Sequence, residues 1–366
     1  MKAESSSTVF ADRRLVLCVG PGGVGKTTCA AALALHAAAS GRRVAVVTID
    51  PSRRLAQALG LSSEVSGELV PVLREQGVHL DALILDGAKV FDTIVRDYSR
   101  RPATTQKILD SRIYQATAKQ LSGALEFAAM ARVQMLVDAG EHDLIVLDTP
   151  PTANAIDFLN APKRVRELID NPGARLLAGT GRLGARILGL GGSVLRRTLE
   201  RLGGGSFLGD IGTFLREFAD VLGEFQRRGG DFEQLLRSRA TGVLLVTSAS
   251  PFSVREAAGF LDQLADYGLR IDAVLLNRVD PVLPQAPSRD QFEAGIGGLA
   301  LDEGVGGRLW TAYDGAFALG ERTRRSIDAI ASARPDVSVW TSPRLTEPPD
   351  TVPELRVLGR SIFGAR

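Results

Sequence analysis

Cysteine, histidine and aromatic side chains are scarce in this chain: its 366 residues include 2 Cys and 3 His, and Phe, Trp and Tyr together make up 5%. Two cysteines, Cys18 and Cys29, cannot build a disulfide framework or a four-ligand zinc site, and they read as small core residues. His36, His79 and His142 lie far apart with no Cys, Asp or Glu at ligand spacing, so none is assigned a metal or acid–base role. An excess of one charge is also lacking. The 44 basic and 42 acidic residues leave a net charge of +2, which provides no chain-wide field for nucleic acid or anionic lipid. No uninterrupted apolar run reaches the roughly 18 residues of a membrane span, and MKAESSSTVFADRR at the start has no apolar stretch fit for a signal peptide. The expectation is a cytoplasmic protein with no stable membrane insertion, no zinc and no nucleic-acid partner.

What is present is an ordinary globular composition, 45% hydrophobic and 23% charged, which excludes disorder as the general description. Short apolar runs recur at 15–19, 44–48, 80–85, 144–147, 243–247, 273–276 and 337–340, and read as buried parallel strands. Helical segments at 27–40, 122–139, 253–267 and 308–331 alternate with them. This βαβα pattern predicts an α/β fold with a doubly wound, mostly parallel sheet. Residues 161–239 break the alternation with Gly clusters and no β-branched run, and predict an inserted helical subdomain between core segments 1–160 and 240–366. From Lys163 to Arg239 there are 14 basic and 9 acidic residues, so the insert is the basic part of the chain. Its second half spaces Phe207, Ile211, Phe214, Phe218 and Leu222 as one face of an amphipathic helix, either packing onto its own core or lining a groove.

Three polar motifs follow predicted strand ends directly: GPGGVGKTT at 20–28, DPSRR at 50–54 and DTPPTAN at 148–154. A doubly wound sheet brings such ends to one edge, where ligands bind. The first motif is a P-loop in its required strand-to-helix context. Gly22, Gly23, Val24 and Gly25 form the turn whose N–H groups converge on phosphate, Lys26 neutralises the β- and γ-phosphates, Thr27 offers Mg²⁺ its hydroxyl, and Thr28 completes the nucleotide-binding set of the loop. Asp148 ends an apolar run where a P-loop protein holds Mg²⁺, usually through water. Asp50 is either the residue that orients or deprotonates the attacking water, or a helix N-cap before Pro51. Arg53 and Arg54 either aim at phosphate or lie on a solvated helix face. Asn277 is either a reader of a purine edge or a turn residue.

Taken together, GPGGVGKTT, TIDPSRRLAQALGL, VLDTPPTANAIDFL and LLNR resemble the arsenite-pump ATPase family, which includes the ATPases that deliver tail-anchored proteins to membranes. The resemblance covers most of the chain. It implies a P-loop fold of the deviant Walker A type, hydrolysis of ATP with Mg²⁺, Asp50 as the switch residue that activates water, Asp148 through Thr152 as the second switch, and Asn277 on adenine. It also implies a dimer, with itself or a paralogue, that closes around two ATP molecules, and a client-binding region for hydrophobic helices at 161–239. Pro21 departs from the family, which carries a second lysine at that position to reach the partner subunit's ATP. Proline supplies neither charge nor N–H, so that contact is missing or comes from another residue, Arg53 or Arg54. The absence of a CxxC pair and of a three-cysteine site argues against a metalloid-activated pump subunit. The alternatives are a nucleotide-binding regulator or scaffold with weak turnover and, behind it, the energising subunit of an anion pump.

Overall fold

The structure is a computed structural model; it describes residues 9–49, 54–62, 66–75, 77–99, 102–111, 114–115, 124–150, 158–160, 163, 166–167, 205–284, 287–299, 302 and 304–364. Its centre is an eight-stranded sheet made of β1 (Leu15–Val19), β2 (Arg43–Thr48), β3 (Leu69–Glu75), β4 (Val78–Ile84), β5 (Leu144–Asp148), β6 (Thr241–Ser248), β7 (Ile271–Val279) and β8 (Ser338–Pro343). The spatial order is β3-β4-β2-β5-β1-β6-β7-β8. All neighbours run parallel except β3 and β4. The α/β, doubly wound reading of the sequence therefore holds. The central strands are continuous apolar runs because both faces of the sheet are covered: every residue of β1 and β5 is buried. At the rim, β3 was not anticipated. It is only half-buried and carries Pro71, beside which its register to β4 shifts, features that keep an edge strand from pairing further.

Strand alternation divides the core into two layers. Leu15, Leu17 and Val19 face helices α3 (Gly87–Tyr98), α5 (Ala124–Ala139), α6 (Gly205–Arg237) and α7 (Pro251–Asp266). Val16 and Cys18 face the other way, toward α1 (Lys26–Ala39) and α10 (Val352–Phe363). The remaining helices are α2 (Arg54–Ala58), α4 (Pro102–Asp110), α8 (Arg289–Ile296) and α9 (Val305–Ala333). Among the described residues, no helix is long and apolar enough to cross a membrane.

Of segment 161–239, the described part is mainly α6, a helix of 33 residues. Its C-terminal half joins the main core through Val221, Phe232 and Leu236, and Phe232 meets Phe158 edge to face at 5.6 Å. Between β7 and α9 lies α8, closed at its N-terminus by a capping box between Ser288 and Gln291. Phe292 of this helix packs with Trp310 and Tyr313 at the start of α9.

Candidate functional site

β1 is the middle strand of the parallel sheet, and the P-loop leaves its carboxyl end. Gly20 has φ 144°, and a Cβ there would lie 1.9 Å from the Val246 carbonyl of neighbouring β6, so only glycine lets the loop turn out so close to the sheet. Gly22 and Gly23 are exposed, Val24 is buried, and Thr28 is half-buried in the first turn of α1. Gly25 is the N-cap of α1 at φ 94° and supplies no side-chain cap, so the first-turn N–H groups and the positive end of the helix dipole face the loop. Lys26 is buried, and its Nζ arches back over the loop to donate to the Pro21 carbonyl at 2.8 Å. Its ammonium thus sits within the curve of the P-loop.

Asp148, the last residue of β5, is fully buried and lies beside Cys18 of β1 and Thr48 of β2 in the sheet register. The Thr27 hydroxyl donates to its Oδ2 at 2.7 Å, and the Thr48 hydroxyl donates to the same oxygen at 3.0 Å. Charge-assisted bonds of this kind hold a buried carboxylate in one orientation. Thr149 turns away, donating its N–H and its hydroxyl to the Cys18 carbonyl. The chain order alone does not reveal Thr48, because its place beside Asp148 depends on β2 lying next to β5.

Both cysteines lie under this site as neutral packing groups. Burial pushes the Cys18 thiol well above its ordinary range, and the nearby Asp148 charge adds to the shift. Burial likewise pushes Cys29 up to about 12, opposed by Arg278 and aided by Asp148.

Asn277, in β7, is buried and donates its Nδ2 to the Val24 carbonyl at 2.8 Å. The structure therefore brings Gly22, Gly23, Val24, Gly25, Lys26, Thr27, Thr28, Asp148 and Asn277 to one edge of the sheet. Asp50 and Arg53 lie outside the described residues; β2 pairs with β5 as far as Ile49, whose N–H donates to the Asp148 carbonyl at 3.2 Å. Arg54 opens α2 and is exposed. Of the apolar stripe on α6, Phe214 and Phe218 stack at 5.2 Å and pack, partly buried, against the main core. Phe207, Ile211 and Leu222 belong to the same helix, and their side chains lie outside the described ones.

Comparison with known proteins agrees with this geometry. The sequence profile described as anion-transporting ATPase matches residues 13–294. The chain is 30% identical over 333 residues to an uncharacterized protein of Streptomyces coelicolor, covering 90% of this chain and 78% of that one. It is 23% identical over 279 residues to the ATPase get3 of Schizosaccharomyces japonicus, covering 75% of this chain and 78% of the relative. It is 34% identical over 150 residues to an arsenical pump-driving ATPase of Acidiphilium multivorum, covering 39% of this chain and 24% of that protein. With P-loop, buried aspartate and sheet order in agreement with a match over most of its length, the chain belongs to the anion-transporting ATPase family.

Proposed function

We propose that the protein hydrolyses ATP with Mg²⁺ and couples its nucleotide state to the binding of hydrophobic helices of client proteins, as a dimer with itself or a paralogue. The observation that carries this reading is the 2.7 Å contact between Thr27 and Asp148 beside the P-loop lysine. A hydroxyl and a carboxylate at the ends of two neighbouring elements are hard oxygen donors suited to Mg²⁺, Thr27 directly and Asp148 through water. When bound, the ion neutralises charge on the β- and γ-phosphates.

The remaining roles fall to residues of this chain. Lys26 and the loop N–H groups bind the phosphates, and the carboxamide oxygen of Asn277 accepts from the amino group of adenine. Asp50, two residues after Thr48, orients the attacking water and takes its proton as the water oxygen bonds to the γ-phosphorus and the bond to the ADP oxygen breaks. Helix α6 carries the client-binding stripe, Phe207, Ile211, Phe214, Phe218 and Leu222, of which Phe214 and Phe218 also pack, partly buried, against the core. The name of the relative get3 and the apolar stripe support this part of the reading.

Pro21 favours a second reading, a nucleotide-binding regulator or scaffold with weak turnover, because no cationic side chain stands at that loop position. Steady-state ATPase activity of the wild type beside Asp50→Asn, with oligomeric state recorded in parallel, separates the two. The first reading expects turnover that falls by about 10²–10⁴ in Asp50→Asn while ATP still binds. Tight ATP binding by a wild type that turns over no faster than Asp50→Asn contradicts it and supports the second.

A further inference from the structure

Among the described residues, Arg278 is the single non-glycine residue with positive φ, at 57°. That conformation is unfavourable for an ordinary L-residue, and such strain persists where the surroundings enforce it. Consecutive residues of a strand send their side chains to opposite faces. At Arg278 the left-handed turn breaks that rule, and the pairing of β7 with β8 slips at the same place, between Leu276 and Val279. As a result Asn277 and Arg278 both reach the P-loop. Asn277 Nδ2 donates to the Val24 carbonyl at 2.8 Å, and Arg278 Nη1 donates to the carbonyl before it, Gly23, at 3.3 Å. The guanidinium also stands 3.9 Å from where a Cβ on Gly25 would lie.

These two contacts fix more than two carbonyls. No peptide bond among the described residues is cis, and in a trans peptide the C=O and the following N–H point in opposite directions. Holding the Gly23 and Val24 carbonyls outward, toward β7, therefore aims the N–H groups of Val24 and Gly25 inward, to the side on which a P-loop cradles phosphate. We infer that Arg278 is a positioning residue: with Asn277 it clamps two successive P-loop peptides from behind and orients the N–H groups that bind phosphate. The inference rests on the nucleotide-binding reading of residues 20–28. It gives Arg278 a role through the backbone, independent of base or ribose.

The test is equilibrium binding of ATP, ADP and inorganic tripolyphosphate to the full chain, as wild type, Arg278→Gly and Arg278→Lys. Glycine accepts the positive φ while removing the guanidinium, so thermal stability should hold or rise. Arg278→Gly should weaken all three ligands by the same factor, about tenfold for one charge-assisted contact, and Arg278→Lys should restore most of that loss. Unchanged affinities in Arg278→Gly overturn the inference. So does a loss confined to ATP and ADP, which would make Arg278 a base or ribose contact. A wild type that binds none of the three overturns the nucleotide-binding reading itself, and the clamp with it.

Discussion

The two edges of the sheet hold their described charged groups through different contacts. At the amino edge, near the starts of β1, β6 and β7, the buried carboxylate of Asp272 accepts from Arg13 at 2.7 Å and from Arg270 at 3.1 Å, and it also receives the N–H of Val243. Arg13 is buried as well and donates a further bond to the Arg239 carbonyl. Cation and anion answer each other there, so the cluster ties strands together. At the carboxyl edge, Asp148 is met by two threonine hydroxyls, while Lys26 and Arg278 donate to loop carbonyls. In these contacts the charged groups are oriented by hydroxyl and carbonyl groups, an arrangement that suits a polyanionic ligand and its cation. One sheet thus carries an ion cluster at one end and the proposed nucleotide site at the other.

Breaking the amino edge should produce the largest effect on stability. Asp272→Ala leaves Arg13 buried without its carboxylate and should cost roughly 3–5 kcal/mol, read as a lower denaturant midpoint, with nucleotide affinity of the folded protein unchanged. A loss of affinity at constant stability would mean that the two edges are coupled. The smallest effect concerns the thiol beneath the loop. The neutral thiol of Cys29 is favoured in the fold because burial raises it to about 12. Its contribution is therefore complete below the ordinary thiol range and is lost as pH rises from about 9 toward 12, where the unfolded chain ionises first. Cys29→Ala should flatten the alkaline fall in stability in that window, leaving at neutral pH only the small, pH-independent loss of packing from the buried sulfur.

The sequence discloses the carboxyl edge more fully than the amino edge. GPGGVGKTT is a local motif whose chemistry depends on spacing alone, and LIVLD shows its aspartate by ending an apolar run. The buried central strands are legible for the same reason: both faces are covered, so they lack polar interruption. Other features depend on three dimensions. β3 is half-exposed and proline-bearing, so VPVLRE carries neither a continuous apolar run nor a clean alternation. Thr48 matters through strand order. Arg278 matters through a positive φ, a conformation that glycine would advertise and arginine does not. The capping box Ser288–Gln291 was legible in principle, as a serine followed three residues later by glutamine, and it opens a helix in a stretch rich in glycine.

In the proposed reading, residues 20–28, closed by Lys26 and aligned with Asp148, bind a nucleoside triphosphate. Titration of Mg·ATP into the wild type and into Lys26→Ala measures the lysine's share in that binding. Removal of a buried ammonium from the phosphate site should weaken binding by at least about thirtyfold while the thermal unfolding of the free protein barely moves. Equal affinity in the two proteins would mean that Lys26 does not hold the phosphates and that residues 20–28 are not the nucleotide site.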